Sequence, residues 1–415
     1  MGRLCPKLIC MKVLQLCKKF PYPLKDGESI AVSSLSKALC DHGCDITLLA
    51  MNTTKHYFSD TRNFPAAMKH YEKIYTVKVD NRVKFLDAIA NLFSPDSYHI
   101  SRFISLEFKE KLAQLLRAND FDVIQLETPY LAPYIPLIRQ FTEAPIAMRA
   151  HNVEHEIWER ITHNTSFFAK KWYLTHLTKK LKEYELAQLS YYDLLVAITN
   201  RDLNTFRKLG FKKGGIVTPI GLDMDQYEAD FSSFNRPLSF SFIGSLDWMP
   251  NQEGIKWFLE RVWPQASKSM PGINLHVAGR NTPDWLRKLR NKQIQVHGEV
   301  PSATNFINQH SVMVVPLLSG SGMRAKILEG MALGKVIIST RLGLEGIPAE
   351  HRHQVLVADT ATEFIQQLQY CHQLPAEKLR QMGEAAQDFA HKHYDSQETA
   401  RALVETYQGM MVGAL

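Results

Sequence analysis

The stretch VVPLLSGSGMRAKILEGMALGKVIIST, residues 314–340, decides the fold class, because it reads as strand, glycine-rich loop, helix and strand in succession. The first strand ends at Pro316, the helix starts near Met323, and the second strand covers Val336–Ser339. Strands joined by a helix in this way are parallel neighbours in one sheet. The segment therefore predicts an α/β protein built on parallel sheets.

The loop inside this stretch, SGSG at residues 319–322, has the composition of an anion-binding loop. Glycines let backbone amides approach an anion closely, and the following helix adds the positive end of its dipole. Arg324 and Lys326 stand in the predicted first turn, where the dipole disfavours cations unless an anion is bound. This pattern predicts a bound diphosphate. The two glycines alone are a weak dinucleotide signal, because no third glycine falls in register.

Glu329 follows Lys326 by three residues and lies on the same face of the predicted helix. One interpretation is a helical salt bridge, which contributes about 0.2–0.5 kcal/mol. The other is a carboxylate that accepts hydrogen bonds from both hydroxyls of a ribose. The residues alone leave both open.

Strand-like apolar runs alternate with helix-like stretches along nearly the whole chain, which is typical of parallel sheets covered by helices. A first series of predicted strands comprises Lys12–Leu16, Asp45–Ala50, Asp122–Leu126, Ile146–Arg149 and Leu194–Ile198. A second comprises Ser239–Ile243, Ile273–Ala278, Ile294–Val296, Ser311–Pro316, Val336–Ser339 and Gln354–Val357. The predicted helices include Ser29–His42, Gln252–Trp263 and Met323–Leu333. Two series of this kind predict two Rossmann-like domains.

A linker rich in Pro, Gly, Asp and Ser, TPIGLDMDQYEADFSSFNRP, separates the two series. We predict an N-terminal domain over residues 11–217 and a C-terminal domain over residues 218–395. Residues 1–10 form a tail or follow an upstream start, because Met11 opens a tidier strand. Residues 396–415 form a C-terminal helix that could pack back on the N-terminal domain. Ligands of such sheets bind beyond the carboxyl ends of the strands, so two facing domains predict a deep interdomain cleft.

The composition is that of a globular protein. The chain has 415 residues, of which 45% are apolar and 22% charged, and this excludes a disordered or fibrous class. A net charge of +7 favours anionic partners, but no nucleic-acid-binding motif is present, so we expect no nucleic acid. No apolar run reaches the roughly 18 residues that span a bilayer. Six cysteines without a scaffold spacing indicate reduced thiols and a cytoplasmic protein.

The segment FFAKKWYLTHLTKKLKEYE, residues 167–185, carries lysines at helical spacing among aromatic residues and leucines. One interpretation is a solvated helix that covers the sheet. The other is a basic amphipathic face that contacts anionic lipid, which would place the protein at the inner face of the membrane. Both interpretations stay open.

The segment Gly322–Gly334, followed by GLEG at residues 343–346, resembles the donor-site signature of the family 4 retaining glycosyltransferases, which have the GT-B fold. The resemblance extends along nearly the whole chain. The other segments that carry it are FPYPLKDGES, RAHNVEHE, TPIGLD, IGSLDWMPNQEGI and VHGEVPS, at residues 20–29, 149–156, 218–223, 243–255 and 296–302.

The resemblance implies roles at matching positions. Arg324 and Lys326 would hold the diphosphate and His151 would lie against the transferred sugar and the β-phosphate, so these three are the candidate catalytic residues. Glu329 would hold the ribose, and residues 298–300 would meet the base through backbone atoms. The candidate donor-binding residues are Gly27, Ser245, Gly298, Glu299, Val300, Ser321, Gly322, Glu329, Leu344 and Glu345.

The implied activity is that of a transferase in the EC 2.4 class. It would move a sugar, with retention, from a nucleotide diphosphate sugar to a glycan, lipid-linked or other hydroxyl acceptor, in the assembly of a cell-surface polysaccharide. Cations and amides aimed at the departing phosphate lower the barrier, so we expect no metal and no other cofactor. The alternatives are a catalytically inactive nucleotide-sugar-binding partner subunit and a nucleotide-sugar epimerase of the same fold.

Two departures from the family pattern are visible. Ser321 stands where the family often has a first glutamate, separated from Glu329 by seven residues. Ser245 and Asn251 stand where it often has an arginine and a lysine after the first strand of the donor domain. The resemblance implies that Arg324 and Lys326 replace those cations, as in a subgroup with a G-x-R-x-K-x-x-E motif.

Two further patterns resemble metal sites. Asp223-Met224-Asp225 spells the D-x-D of the other large glycosyltransferase fold, but it falls in the linker, where we predict a turn. His151 and His155 are one helical turn apart, as zinc ligands can be, but no third ligand accompanies them. The other interpretation of His151 is a polar residue packed in the core.

Overall fold

The computed structural model describes residues 10–24, 26–54, 57–59, 63–82, 91, 94, 97–320 and 322–412. The chain forms two compact units. Unit 1 contains the chain up to Leu24, Glu28–Gly221 and the C-terminal segment from Ser396, and unit 2 contains Leu222–Asp395 with the short stretch 25–27. The chain passes from unit 1 to unit 2 after Gly221, four residues beyond the predicted end of the N-terminal domain at residue 217. The tail predicted over residues 1–10 falls outside the described residues, Cys10 excepted.

Unit 1 contains a seven-stranded parallel sheet in the order β3-β2-β1-β4-β5-β6-β7. Its strands are β1 (Met11–Cys17), β2 (Cys44–Thr53), β3 (Lys73–Val79), β4 (Val123–Leu126), β5 (Ile146–Ala150), β6 (Leu194–Ala197) and β7 (Gly214–Val217). The sequence prediction missed β3 and β7, which are the two edge strands. β3 is only partly buried and carries exposed lysines, and β7 begins with two glycines, so neither has the buried apolar run of a central strand.

Unit 2 contains a six-stranded parallel sheet in the order β10-β9-β8-β11-β12-β13. Its strands are β8 (Ser239–Ile243), β9 (Asn274–Ala278), β10 (Ile294–Gly298), β11 (Val312–Val315), β12 (Val336–Ser339) and β13 (Leu356–Val357). All six fall within or beside predicted strands. β11 and β12 are buried along their whole length, as expected for strands with helices on both faces.

The α-helices of the described residues cover the two sheets. They are α1 (Gly27–Asp41), α2 (Tyr98–Ser101), α3 (Leu106–Ala118), α4 (Ile135–Ile138), α5 (Glu154–His163), α6 (Phe168–Gln188), α7 (Asn200–Lys208), α8 (Met249–Trp257), α9 (Trp263–Ala266), α10 (Asp284–Arg287), α11 (Ala303–Asn308), α12 (Ala325–Ala332), α13 (Ala361–Gln373), α14 (Ala376–Tyr394) and α15 (Ser396–Val412). None of them is both long and apolar enough to cross a membrane.

The three predicted helices differ from the structure in their bounds, and the smallest difference is that of Ser29–His42, which is α1 (Gly27–Asp41). The helix predicted over Gln252–Trp263 is α8, then a π-helical turn over Phe258–Val262, then α9. The helix predicted to start near Met323 begins at Ala325. Arg324 has extended backbone angles, with φ −97° and ψ 95°, and occupies the N-cap position. The prediction that Arg324 lies in the first turn is therefore wrong.

The C-terminal helix α15 is part of the core of unit 1. Its Leu403 and Tyr407 are fully buried and belong to the same apolar cluster as Val13 of β1. The Tyr407 hydroxyl donates to Gln125 Oε1 over 2.8 Å. A helix at the end of the chain thus completes the first unit.

The strand order reverses once in each sheet, between β1 and β4 in unit 1 and between β8 and β11 in unit 2. Loops that leave neighbouring strands at such a switch point diverge, so a crevice opens at the carboxyl ends of the strands. The candidate residue His151 follows β5, and Ser245, Gly322 and Arg324 follow β8 and β11.

Candidate functional site

The loop after β11 is shaped by two glycines with left-handed backbone. Gly320 has φ 99° and Gly322 has φ 82°. A Cβ added at Gly320 would lie 3.2 Å from Arg324 Nη2 and 3.2 Å from the Trp248 ring. Only glycine therefore fits this conformation and spacing. Ser321, between the two glycines, lies outside the described residues.

The Gly322 amide, a predicted phosphate contact, faces an anionic acceptor in the structure. Its N–H donates to Glu345 Oε2 over 3.2 Å. Glu345 is half-buried and follows β12 with buried Leu344. Glu345 thus contacts the glycine-rich loop.

Arg324 is held by the glycine-rich loop at the N-cap of α12. Its side chain is buried, and Nη1 donates to the Gly322 carbonyl oxygen over 2.5 Å. The guanidinium carbon lies 5.6 Å from the centre of the Trp248 ring, a cation–π distance. The loop and the indole thus fix the position of this charge.

Lys326, the second residue of α12, reaches the loop after β8. Its Nζ donates to Asn251 Oδ1 over 2.7 Å, and Asn251 Nδ2 donates to the Ser245 carbonyl oxygen over 2.8 Å. A Cβ added at Gly244 would lie 3.2 Å from the same Nζ. Burial, followed by the charge of Arg324, lowers the pKa of Lys326 to about 7. A bound anion would stabilise the charged form of this lysine.

Glu329 is half-buried, and its Oε1 accepts a hydrogen bond from the Tyr227 hydroxyl over 3.1 Å. Burial raises the pKa of Glu329. Within the described residues, Lys326 pairs with Asn251 and Glu329 with Tyr227, so the helical salt bridge is not formed. Tyr227 was missed by the sequence analysis, because no motif marks it.

Arg280 is a second residue that the sequence analysis missed. It follows β9, and its Nε donates to Ser245 Oγ over 2.7 Å. The Ser245 hydroxyl in turn donates to Asp247. The dipeptide Gly279-Arg280 directly after a strand was the available signal.

The predicted base-binding residues lie at the end of β10. Gly298 closes the strand with φ 71°, and its carbonyl oxygen accepts from the Gly279 N–H over 2.7 Å. Glu299 is exposed and Val300 is half-buried. Together with Ser245, Gly322, Lys326 and Glu345 they follow the carboxyl ends of strands of one sheet. Gly27 is the first residue of α1 and groups with unit 2.

His151 belongs to unit 1, where it follows β5. Its Nε2 lies 3.0 Å from Glu127 Oε2, and its side chain is 11% exposed. Glu127, which follows β4, also accepts from Arg149 Nη1 over 3.3 Å. Burial lowers the pKa of His151. His151 is thus mostly enclosed and paired with a buried carboxylate.

The two metal-like patterns form no metal site. Met224–Gln226 is a 3-10 turn, and Asp223 accepts a hydrogen bond from Gln226 Nε2 over 2.7 Å. His155 Nδ1 lies 2.5 Å from Glu185 Oε2, so His151 and His155 have different carboxylate partners. In the described ranges no group of three or more His, Cys, Asp or Glu side chains could hold a metal ion.

Residues 237–373 match the family model described as glycosyl transferases group 1. The matched segment covers the greater part of unit 2 and includes Arg324, Lys326 and Glu329. A Klebsiella pneumoniae protein, described as an uncharacterized 44.6 kDa protein in a cps region, is 21% identical over 409 residues, which cover 94% of this chain and 98% of that protein.

Solved structures have the same fold at low sequence identity. Sucrose-phosphate synthase from Thermosynechococcus elongatus has a TM-score of 0.70 at 14% identity, covering 97% of this chain and 100% of that chain. HepE from Anabaena, solved in complex with UDP-glucose, has a TM-score of 0.62 at 14% identity, covering 96% and 100%.

Two parallel Rossmann-like sheets in one chain are the GT-B architecture, so the predicted α/β fold class is confirmed. The match over residues 237–373 is to a family of glycosyltransferases, which confirms the predicted enzyme class.

Proposed function

We propose that the protein is a retaining, metal-independent glycosyltransferase of family 4, in the subgroup with Arg and Lys in the donor-site motif. It transfers a sugar from a nucleotide diphosphate sugar to a hydroxyl acceptor. The observation that carries this proposal is the position of two cations: the half-buried Lys326 and the buried Arg324 stand together at the start of α12, beyond β11 at the switch point of unit 2. The hydrogen-bond partner of Lys326, Asn251, is neutral, so an anion bound beside Lys326 would stabilise the ammonium.

The chemistry follows from that charge. When the sugar leaves, negative charge grows on the β-phosphate, and fixed cations and amides aimed there lower the barrier. Arg324 and Lys326 are such groups, and they take the place of a metal ion at the diphosphate. Glu329 accepts the ribose hydroxyls. HepE, solved with UDP and with UDP-glucose, supports a nucleotide-sugar donor.

The acceptor is a glycan or a lipid-linked hydroxyl of a polysaccharide under assembly. The Klebsiella relative from a cps region supports this part of the proposal. The protein acts at the inner face of the membrane. Phe167, Phe168 and Trp172 are 69%, 81% and 59% exposed and lie beside the exposed Lys170 and Lys171. Exposed aromatic rings next to cations fit an anionic lipid surface.

A thermal-shift screen against UDP, GDP, dTDP and ADP sugars in EDTA tests the proposal. A donor at 100 times its dissociation constant should stabilise the fold by about 2.7 kcal/mol. Lys326→Met should abolish the shift. The matched control is Lys256→Met, because Lys256 is an exposed lysine of the same unit, paired with Glu260. No shift with any donor, or equal shifts in both variants, would contradict the proposal.

A further inference from the structure

Glu127 contacts His151, and no sequence pattern singles it out. β4 ends at Leu126, so Glu127 is the first residue beyond that strand, at the switch point of unit 1. Its side chain is 1% exposed. A carboxylate this deeply buried is costly unless its oxygens are fully paired.

Both oxygens are paired. Oε2 accepts from Arg149 Nη1 over 3.3 Å and lies 3.0 Å from His151 Nε2. Oε1 accepts from the side-chain amides of Gln15, over 2.6 Å, and Gln125. One guanidinium, one imidazole and two side-chain amides therefore fix the position of the carboxylate.

A second layer holds the two glutamines. The Tyr71 hydroxyl donates to Gln15 Oε1 over 3.1 Å, and the Tyr407 hydroxyl donates to Gln125 Oε1 over 2.8 Å. With their oxygens occupied in this way, the amides must turn their N–H groups toward Glu127. The C-terminal helix thus takes part in the network through Tyr407.

The network decides which nitrogen of His151 carries the proton. Burial would raise the pKa of Glu127, but the charge of Arg149 and the hydrogen bond of His151 outweigh it and bring the pKa to about 2. An ionised carboxylate only accepts, so Nε2 of His151 must donate. Burial lowers the pKa of His151, while the facing groups Glu127 and Glu28 raise it and Arg149 lowers it. In the neutral ring Nδ1 then has no proton.

We propose that Glu127 is a positioning residue, which holds the His151 ring in the Nε2–H tautomer and leaves Nδ1 as its acceptor nitrogen. This inference rests on the proposed function, because it assumes that His151 acts in transfer. The Gln15 and Gln125 amides hold the Glu127 carboxylate directly, whereas Tyr407 contacts only Gln125.

Nitrogen NMR of protein labelled with ¹⁵N-histidine tests the inference directly, with the His151 signals assigned by their loss in His151→Ala. In the wild type we expect a protonated Nε2 and an unprotonated Nδ1. Glu127→Gln should lose this fixed pattern, because its amide can donate to Nε2. Transfer should fall about tenfold or more with the donor KM unchanged. The acid limb of the pH–rate profile should move to lower pH, because a carboxylate that favours the imidazolium is gone.

Tyr407→Phe is the matched control, because it removes a buried hydrogen bond of the same network without touching His151. It should lower thermal stability and leave the tautomer and the acid limb in place. A protonated Nδ1 in the wild type would overturn the inference even if Glu127→Gln did not fold, as would an unchanged rate and tautomer in that variant. Full transfer by His151→Ala would instead refute the proposed role of His151.

Discussion

The lowered pKa of Lys326 is what we expect of a lysine in an anion-binding site before the anion binds. Its ammonium donates to the neutral Asn251 side chain, and burial together with Arg324 lowers its pKa to about 7. A diphosphate bound beside it would favour the charged form and raise the pKa again. Donor binding and proton uptake should therefore be linked at this residue.

We expect the affinity for nucleoside diphosphate to fall as the pH rises from 7 to 9. Below the pKa of about 7 the free protein already has the charged lysine. Above it, binding must take up a proton, which weakens affinity by up to about tenfold per pH unit until the pKa of the bound state is reached. Calorimetry at pH 8 in buffers of different ionisation enthalpy measures that uptake. Lys326→Met should lose it and Lys256→Met should keep it; equal uptake in both would contradict the account.

Glu329→Gln should weaken donor binding about tenfold or more, because a hydrogen bond to a charged group contributes about 1.5–3 kcal/mol. The amide keeps the shape and can still accept from Tyr227, but it offers the ribose one acceptor oxygen instead of two. Calorimetry with the nucleoside diphosphate measures the loss. Tyr227→Phe, which leaves the carboxylate in place, is the control for the Tyr227 bond. Unchanged affinity in Glu329→Gln would leave Glu329 a structural residue.

The strands buried on both faces could be predicted from the sequence, and the edge strands of the first sheet could not. β11 and β12 are continuous apolar runs, so they stand out in the sequence. β3, at the sheet edge, has four partly exposed residues between two exposed lysines, and only its last residue is buried. The start of α12 was misplaced because Arg324 is an N-cap that makes no side-chain cap hydrogen bond, so no capping residue marks it.

Some residues of the candidate site could be predicted from the sequence and others could not. Local motifs identified the glycine-rich loop, Lys326 and Glu329, because backbone conformation and helix spacing are short-range properties. Tyr227, Arg280 and Glu127 reach their partners across many residues of chain, as in the Tyr227–Glu329 bond. Such contacts depend on sheet order, which one sequence does not specify.

Helix α6 has an exposed aromatic end, and we expect it to bind vesicles that contain anionic lipid. Phe168→Ala with Trp172→Ala should reduce co-sedimentation about tenfold or more, because burial of each aromatic ring in lipid contributes about 1.5–3 kcal/mol. Lys170→Gln with Lys171→Gln should reduce mainly the component of vesicle binding that added salt weakens. Trp285→Ala in unit 2, also exposed, is the control. Equal binding to neutral and anionic vesicles, or no effect of the aromatic pair, would contradict this proposal.

At the scale of the molecule, both units have candidate site residues at the carboxyl ends of parallel strands where the strand order reverses. Unit 1 has the Glu127–His151 pair beyond β4 and β5, and unit 2 has Arg324 and Lys326 beyond β11. The net charge of +7 suits a protein whose proposed donor and proposed membrane surface are both anionic.

In the proposed reaction, Arg324 and Lys326 stabilise the negative charge of the departing diphosphate in place of a metal ion. The most direct test is the initial rate of sugar release from the donor identified by thermal shift, measured with the purified protein in EDTA. We predict full turnover in EDTA, unchanged by added magnesium or manganese, and a loss on the order of 10²–10³ in Lys326→Met. No turnover in EDTA, with activity restored by either metal, would contradict the claim.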